Sequence, residues 1–162
     1  MSRDPIHDAA LEMTDAVLRP RLPANWRIRI QSAVTTVESE PEPDLAIVRG
    51  SPRDHIERHP SPDELALVVE VSNSSLAEDR SVKARIYARA GIAVYWIVNL
   101  INMRIEVYSD PSGPDPAPAY RRRQEFVIGG SIPLTIGNAT VEPVAVVDLL
   151  PPVQSTPQPA QA

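Results

Sequence analysis

Residues 65–91, LALVVEVSNSSLAEDRSVKARIYARAG, decide how the chain is read. Leu65 to Val71 is apolar at every position but Glu70 and rich in β-branched side chains. That is the pattern of a strand buried on both faces and central in its sheet. The following stretch reads as a helix. Ser75 and Glu78 have the S-x-x-E form of a capping box, and Gly91 stands where a left-handed C-terminal cap is expected. Val82, Ile86 and Ala90 make an apolar stripe, while Lys83 and Tyr87, four apart, share a face of their own. Asp79 lies one turn earlier on that face and reads most simply as a first-turn acid favourable to the helix dipole.

Outward from this stretch the elements alternate. Downstream, Ala93 to Val98 and Arg104 to Tyr108 are two strands joined by a polar turn, a hairpin. Tyr120 to Ile128 reads as an edge strand, and Val141 to Leu150 as one more apolar element. Upstream, Leu45 to Val48 and Trp26 to Val34 read as strands. Residues 7–19 have helical spacing and are stopped by Pro20 and Pro23. Thirteen of the 18 prolines fall in 41–62, 111–118 and 151–159, which are therefore loops or tail. The order predicts one α/β domain over residues 1–150, a mixed β-sheet core flanked by helices, and a disordered Pro/Gln/Ala-rich tail over 151–162.

Composition excludes several classes. The chain has 162 residues and no cysteine, so a disulfide framework, a thiolate zinc site and a cysteine nucleophile are ruled out. That suits a reducing cytoplasm. No apolar run approaches the roughly 20 residues that span a bilayer, and no signal-peptide core opens the chain, so no membrane role is expected. The net charge of −5 counts against nucleic-acid binding by electrostatics alone, but not against an enzyme whose carboxylates recruit a cation. Dinucleotide, P-loop, zincin and serine-hydrolase motifs are absent. His55 and His59 share a proline-bounded polar loop and read as surface histidines.

The chemistry-bearing residues are carboxylates at strand positions. Asp44 follows Pro43 and immediately precedes an apolar strand, and Glu70 sits inside LVVEVS. An ionised carboxylate on a central strand is costly unless a cation or donors compensate it. The plain alternative is a strand whose polar face opens to water there. Lys83, the only lysine, stands on the helix that follows Glu70 and could turn back over that strand's end; alone it would read as a solvated lysine. Together Asp44, Glu70 and Lys83 have the chemistry of a metal-dependent phosphodiesterase: two oxygen ligands for Mg²⁺ or Mn²⁺ and a cation beside the attacking water.

The run EPEPDLAIV, then LALVVEVSNSSLAEDRSVKARIYARAGIAVYWIVNL, then RIEVYSDPSG, closely resembles the Uma2 family (DUF820), restriction-endonuclease-like proteins of the PD-(D/E)XK nuclease superfamily. The resemblance covers roughly His7 to Pro151 and is densest from Glu40 to Tyr108. It implies a restriction-endonuclease-like fold and Mg²⁺-dependent (or Mn²⁺-dependent) endonuclease hydrolysis of DNA phosphodiester bonds. Pro43–Asp44 resembles the PD element and Glu70 the acid of the second element. The superfamily lysine would stand at Ser72; in this family its function moves to the helix, where Lys83 matches. The implied metal ligands are Asp44, Glu70 and the Val71 carbonyl oxygen, with Lys83 as water activator or charge stabiliser. Gln31, Glu42, Ser72, Asp79 and Tyr87 are secondary site candidates.

The relatives carry, before the helix at 7–19, a further segment with acidic residues that this chain is expected to lack. Together with the net acidity this keeps a second reading open, a catalytically degenerate nuclease-fold protein acting as a binding or dimerisation module. A homodimer is expected, formed where the YWIV strand and its RIEVY partner approach a sheet edge.

Overall fold

The computed structural model describes residues 4–152. Helix α1 spans Pro5–Leu18, with Asp4 as its N-cap and Pro5 in its first turn. Strands β1 (Trp26–Ile30), β2 (Leu45–Arg49) and β3 (Leu65–Ser72) follow. Helix α2 occupies 76–89 in three continuous pieces: α-helical Leu76–Glu78, π-helical Asp79–Lys83 and α-helical Ala84–Arg89. The chain continues with β4 (Val94–Asn99), β5 (Arg104–Pro111), β6 (Tyr120–Val127), β7 (Ser131–Ile136) and β8 (Ala139–Ala145).

Strands β1 to β6 form one sheet in chain order. All neighbours are antiparallel except β3 and β4, which run parallel because α2 carries the chain back between them. The expected mixed α/β sheet is therefore present, and β3 is central in it. Its faces are covered differently. Leu45, Ile47, Leu67, Val69, Val71, Trp96, Val98 and Ile105 pack under α1 and the separate β7–β8 hairpin. Ala46, Val68, Tyr95, Ile97 and Tyr108 pack under α2.

The hairpin is the main addition to the sequence reading, which saw only one apolar element over 141–150. Ser131–Ile136 alternates in burial, with Ile132, Leu134 and Ile136 inward, and Pro133 falls at a register shift in the β7–β8 ladder between Ile132 and Leu134, where a residue without an N–H is tolerated. Gly137 makes its turn at φ +60°, where an added Cβ would lie 2.8 Å from the Trp26 ring.

Four local expectations are corrected. Ser75 forms no side-chain cap; its hydroxyl donates to Asp79 instead. Val82 is 53% exposed, so of the apolar stripe only Ile86 and Ala90 pack, half-buried, against the core, and α2 buries Leu76, Asp79, Tyr87 and Ala88. His55 is no surface histidine: its side chain is 2% exposed, 2.7 Å from Glu64 and accepting from Arg27 at 2.9 Å. Strands β4 and β5 are interior, so they offer no free edge for pairing two copies. Gly91 does take the left-handed C-terminal position, at φ +76°. The tail expected over 151–162 falls, from residue 153 on, outside the described residues. Among the described residues no helix is long and apolar enough to cross a membrane.

Candidate active site

Asp44 owes its position to two ladders. Leu45 lies opposite Val69 in the antiparallel β2–β3 pair, so one step further Asp44 stands opposite Glu70 on the α2 side of the sheet. The backbone fixes it further: Gln31 N donates to the Asp44 carbonyl at 3.0 Å, and Val71 N donates to Asp44 Oδ2 at 2.8 Å. Asp44 is 5% exposed and Glu70 1%. Two carboxylates on adjacent strands thus share a nearly dry corner.

Helix α2 brings the rest. Tyr87 donates its hydroxyl to Glu70 Oε1 at 2.6 Å, and Lys83 Nζ lies 3.1 Å from Glu70 Oε2 and 3.3 Å from Asp79 Oδ1. Asp79 Oδ2 accepts from the Ser72 hydroxyl and, at 2.7 Å, from the Ser75 hydroxyl. Tyr95 Oη, from the start of β4, donates to the Asp79 carbonyl at 2.9 Å. The π-helical turn over Asp79–Lys83 lies directly above these strands. A widened turn of this kind re-aims side chains and is frequent at functional sites. Ser72 and Asp79 therefore belong to the site as the support that aims Lys83, a larger part than a first-turn acid would have.

The electrostatics are those of crowded carboxylates. Burial, and then the neighbouring Asp44 charge, push the Glu70 carboxyl up to about 8, against the opposing pull of Lys83 and the Tyr87 hydroxyl. Burial works to lower the Lys83 ammonium, but Glu70 and Asp79 outweigh it and hold it above its ordinary value. Burial and Glu70 push Tyr87 far up, so its phenol remains a donor. Within the Glu70–Lys83 pair the physical direction is clear: with no cation between the carboxylates, Glu70 favours its proton.

That unfavourable pairing is what a divalent cation would relieve. The donors are hard oxygens, suited to Mg²⁺ or Mn²⁺ rather than to thiolate-seeking metals. Among the described residues no group of three or more His, Asp or Glu side chains is placed to hold an ion. A cation here would rest on Asp44 and Glu70 and take its other ligands from water, backbone or substrate, as Mg²⁺ commonly does. The donor set fits an open catalytic site and not a closed structural one.

One residue enters from outside the sequence reading. His7 Nε2 lies 3.2 Å from Asp44 Oδ2, with its ring mostly buried. Asp4 accepts from His7 N at 2.9 Å and from Asn73 Nδ2 at 2.8 Å, so the start of α1 is pinned to the chain just beyond β3. His7 continues, one turn back, the buried stripe Ala10, Leu11, Thr14 and Leu18. That spacing was the available signal. Two candidates are not gathered in. Gln31 lies just past β1 with an exposed side chain at φ 50°, and Glu42 is exposed. Val71 takes part through its backbone N–H, its side chain packing on the opposite face.

No curated protein matches the chain. In architecture it is similar to a crystal structure described as a "putative nuclease belonging to DUF820" from Anabaena variabilis ATCC 29413. The TM-score is 0.58 at 13% sequence identity, over 92% of this chain and 82% of that one. A likeness at that identity speaks for the fold. The Uma2 family profile, described as "Putative restriction endonuclease", matches residues 4–140, and the chain belongs to this family.

Proposed function

We propose that the protein is a divalent-metal-dependent endonuclease that hydrolyses phosphodiester bonds in DNA. The observation that carries the reading is the convergence of Asp44, just before β2, Glu70 of β3 and Lys83 of α2 on one corner, with Tyr87 and Asp79 holding the last two in place. Nothing in the stability of a small α/β domain calls for three ionisable groups there; apolar residues of equal volume would pack at least as well.

Asp44 and Glu70 would hold Mg²⁺ or Mn²⁺. Such an ion, when bound, supplies positive charge at the scissile phosphate. The chain's own residues do the rest. Lys83 stays charged beside Glu70 and Asp79, so its part is to steady the growing negative charge of the phosphorane-like transition state and to orient the attacking water, rather than to accept a proton. Tyr87 holds Glu70 Oε1 and leaves Oε2 to Lys83. Asp79, itself gripped by Ser72 and Ser75, limits the swing of the lysine. His7 closes the Asp44 side against bulk water.

Purified protein incubated with plasmid DNA and Mg²⁺ or Mn²⁺ tests the reading. Cleavage is expected only with the ion, falling roughly 100-fold or more in Asp44→Ala and in Lys83→Ala. Cleavage undiminished in both variants would sink the assignment.

A further inference from the structure

A second buried carboxylate lies on the same face of the sheet. In the ladder register Glu70 on β3 stands beside Ile97 on β4, and Ile97 beside Glu106 on β5. Cross-strand partners face the same side, so Glu106 points toward the α2 layer two strands from Glu70, about 10 Å away at ordinary strand spacing. Glu106 is fully buried, yet none of the roles above uses it.

Its partners define its purpose. Arg80, next to Asp79 and three residues before Lys83, sets its guanidinium across the carboxylate through Nε at 3.0 Å and Nη2 at 2.9 Å. Arg123, from edge strand β6, donates Nη2 to Glu106 Oε1 at 2.7 Å and Nε to Tyr108 Oη at 3.1 Å. Tyr108 Oη and Asn99 Nδ2 complete the set at 2.8 and 3.0 Å. These bonds overcome the effect of burial and hold Glu106 ionised, its carboxyl down to about 2. The two arginine side chains remain 36% and 45% exposed. Among the described residues, Nη1 of each has no hydrogen-bond partner. At the rim, Glu125 takes Arg104 at 3.0 Å and Arg123 at 2.9 Å, leaving three guanidiniums to two carboxylates.

A buried ion-pair network of this kind contributes little net stability over apolar packing. What it does supply is orientation. Two long side chains are held in place by the carboxylate while staying partly exposed, so a phosphate that takes a guanidinium through two of its oxygens would meet them without the usual entropic cost. In a chain of net charge −5, such a patch is also where a polyanion would be drawn in.

We propose that Arg80 and Arg123, braced by Glu106, form an anchor for the phosphodiester backbone of the DNA strand, beside the Asp44–Glu70–Lys83 corner. The anchor rests on the endonuclease reading and extends it. At about 3.4 Å of axial length per nucleotide, the offset between the two sites corresponds to two or three nucleotides. The strand would run over the outer surface, past the exposed parts of Lys83 and Arg80 on the widened turn of α2 and of Arg123 on β6.

Binding of a labelled DNA duplex, followed by fluorescence anisotropy over a NaCl series without divalent ions, tests this apart from cleavage. Arg80→Gln and Arg123→Gln are each expected to weaken binding several-fold and to reduce the slope of log affinity against log salt by about 0.9. Arg123→Lys should restore the slope but only part of the affinity, because the charge returns without the fork. In cleavage assays the same variants should raise KM more than they lower kcat. Arg19→Gln, at the far end of α1, is the control and should change neither quantity. Wild-type slopes and affinities in both glutamine variants of a protein that cuts DNA would overturn the anchor alone. A wild-type protein that neither binds nor cuts duplex DNA would overturn the anchor and the endonuclease reading together.

Discussion

Tyr87 has a single polar side-chain atom, and it is committed to Glu70. Removing that hydroxyl leaves a buried acceptor without its donor while barely changing volume. Tyr87→Phe is therefore expected to cost about 1–3 kcal/mol, read as a lower midpoint in urea with an unchanged m-value. An unshifted midpoint would show that the bond contributes nothing. At this scale the sequence was informative where a residue's chemistry clashed with its surroundings. A carboxylate among valines and a lone lysine on the next helix stand out in one dimension. His7 and Glu106 do not, because each acquires its meaning from a partner 17 to 37 positions away: Asp44 and Arg80 or Arg123.

Among the elements, α2 shows how a pattern can be read correctly as a helix while the centre of its buried face is displaced. Val82, Ile86 and Ala90 have the right spacing for a core stripe, but Ile86 and Ala90 are only half-buried and Val82 is exposed, while the fully buried positions carry Asp79 and Tyr87, with Lys83 half-covered beside them. Two effects compete here. Apolar burial favours the Val82 side by a couple of kcal/mol at most. Against it stand the hydrogen bonds and ion pairs that Asp79, Lys83 and Tyr87 form with Ser72, Ser75, Glu70 and Tyr95, which would be lost together if the helix rolled. The π-helical turn departs from the regular 3.6-residue repeat at this point, so periodicity alone could not report the face. Val82→Gln is accordingly expected to leave stability within about 0.5 kcal/mol of wild type by thermal or urea unfolding. A loss of several kcal/mol would restore the original stripe. The β7–β8 hairpin was missed for a different reason: Pro133 demotes a strand on paper, whereas in the folded chain it is taken up by a register shift between Ile132 and Leu134.

For the whole molecule, the sheet is a scaffold with two buried acidic centres on one face, each balanced differently. Glu70 is raised and favours its proton; Glu106 is lowered and keeps its charge. A carboxyl lowered from 4.5 to about 2 contributes stability that is complete above the unfolded value and is lost as pH falls from about 4.5 toward 2. That contribution amounts to up to about 3 kcal/mol at neutral pH. Glu106→Gln should therefore be less stable than wild type at pH 7 by urea unfolding, with the gap closing as pH approaches 2. A gap that stays constant across that range would show that Glu106 titrates normally in the fold.

What the sequence determined by itself is the class of fold, its central strand and the order of its main elements, with Asp44, Glu70 and Lys83 as candidates for the site. Those follow from local rules: hydrophobic period, proline and glycine placement, and the cost of a charge in an apolar run. Only the tertiary structure decided which side of α2 faces the sheet, that His7 closes on Asp44, that Ser72 and Asp79 steer the lysine, and that a second carboxylate grips two arginines nearby. Each of these depends on ladder register and helix roll, which bring distant residues within about 3 Å of one another. Such distances are set by the balance of many contacts at once, and no window of neighbouring residues contains them.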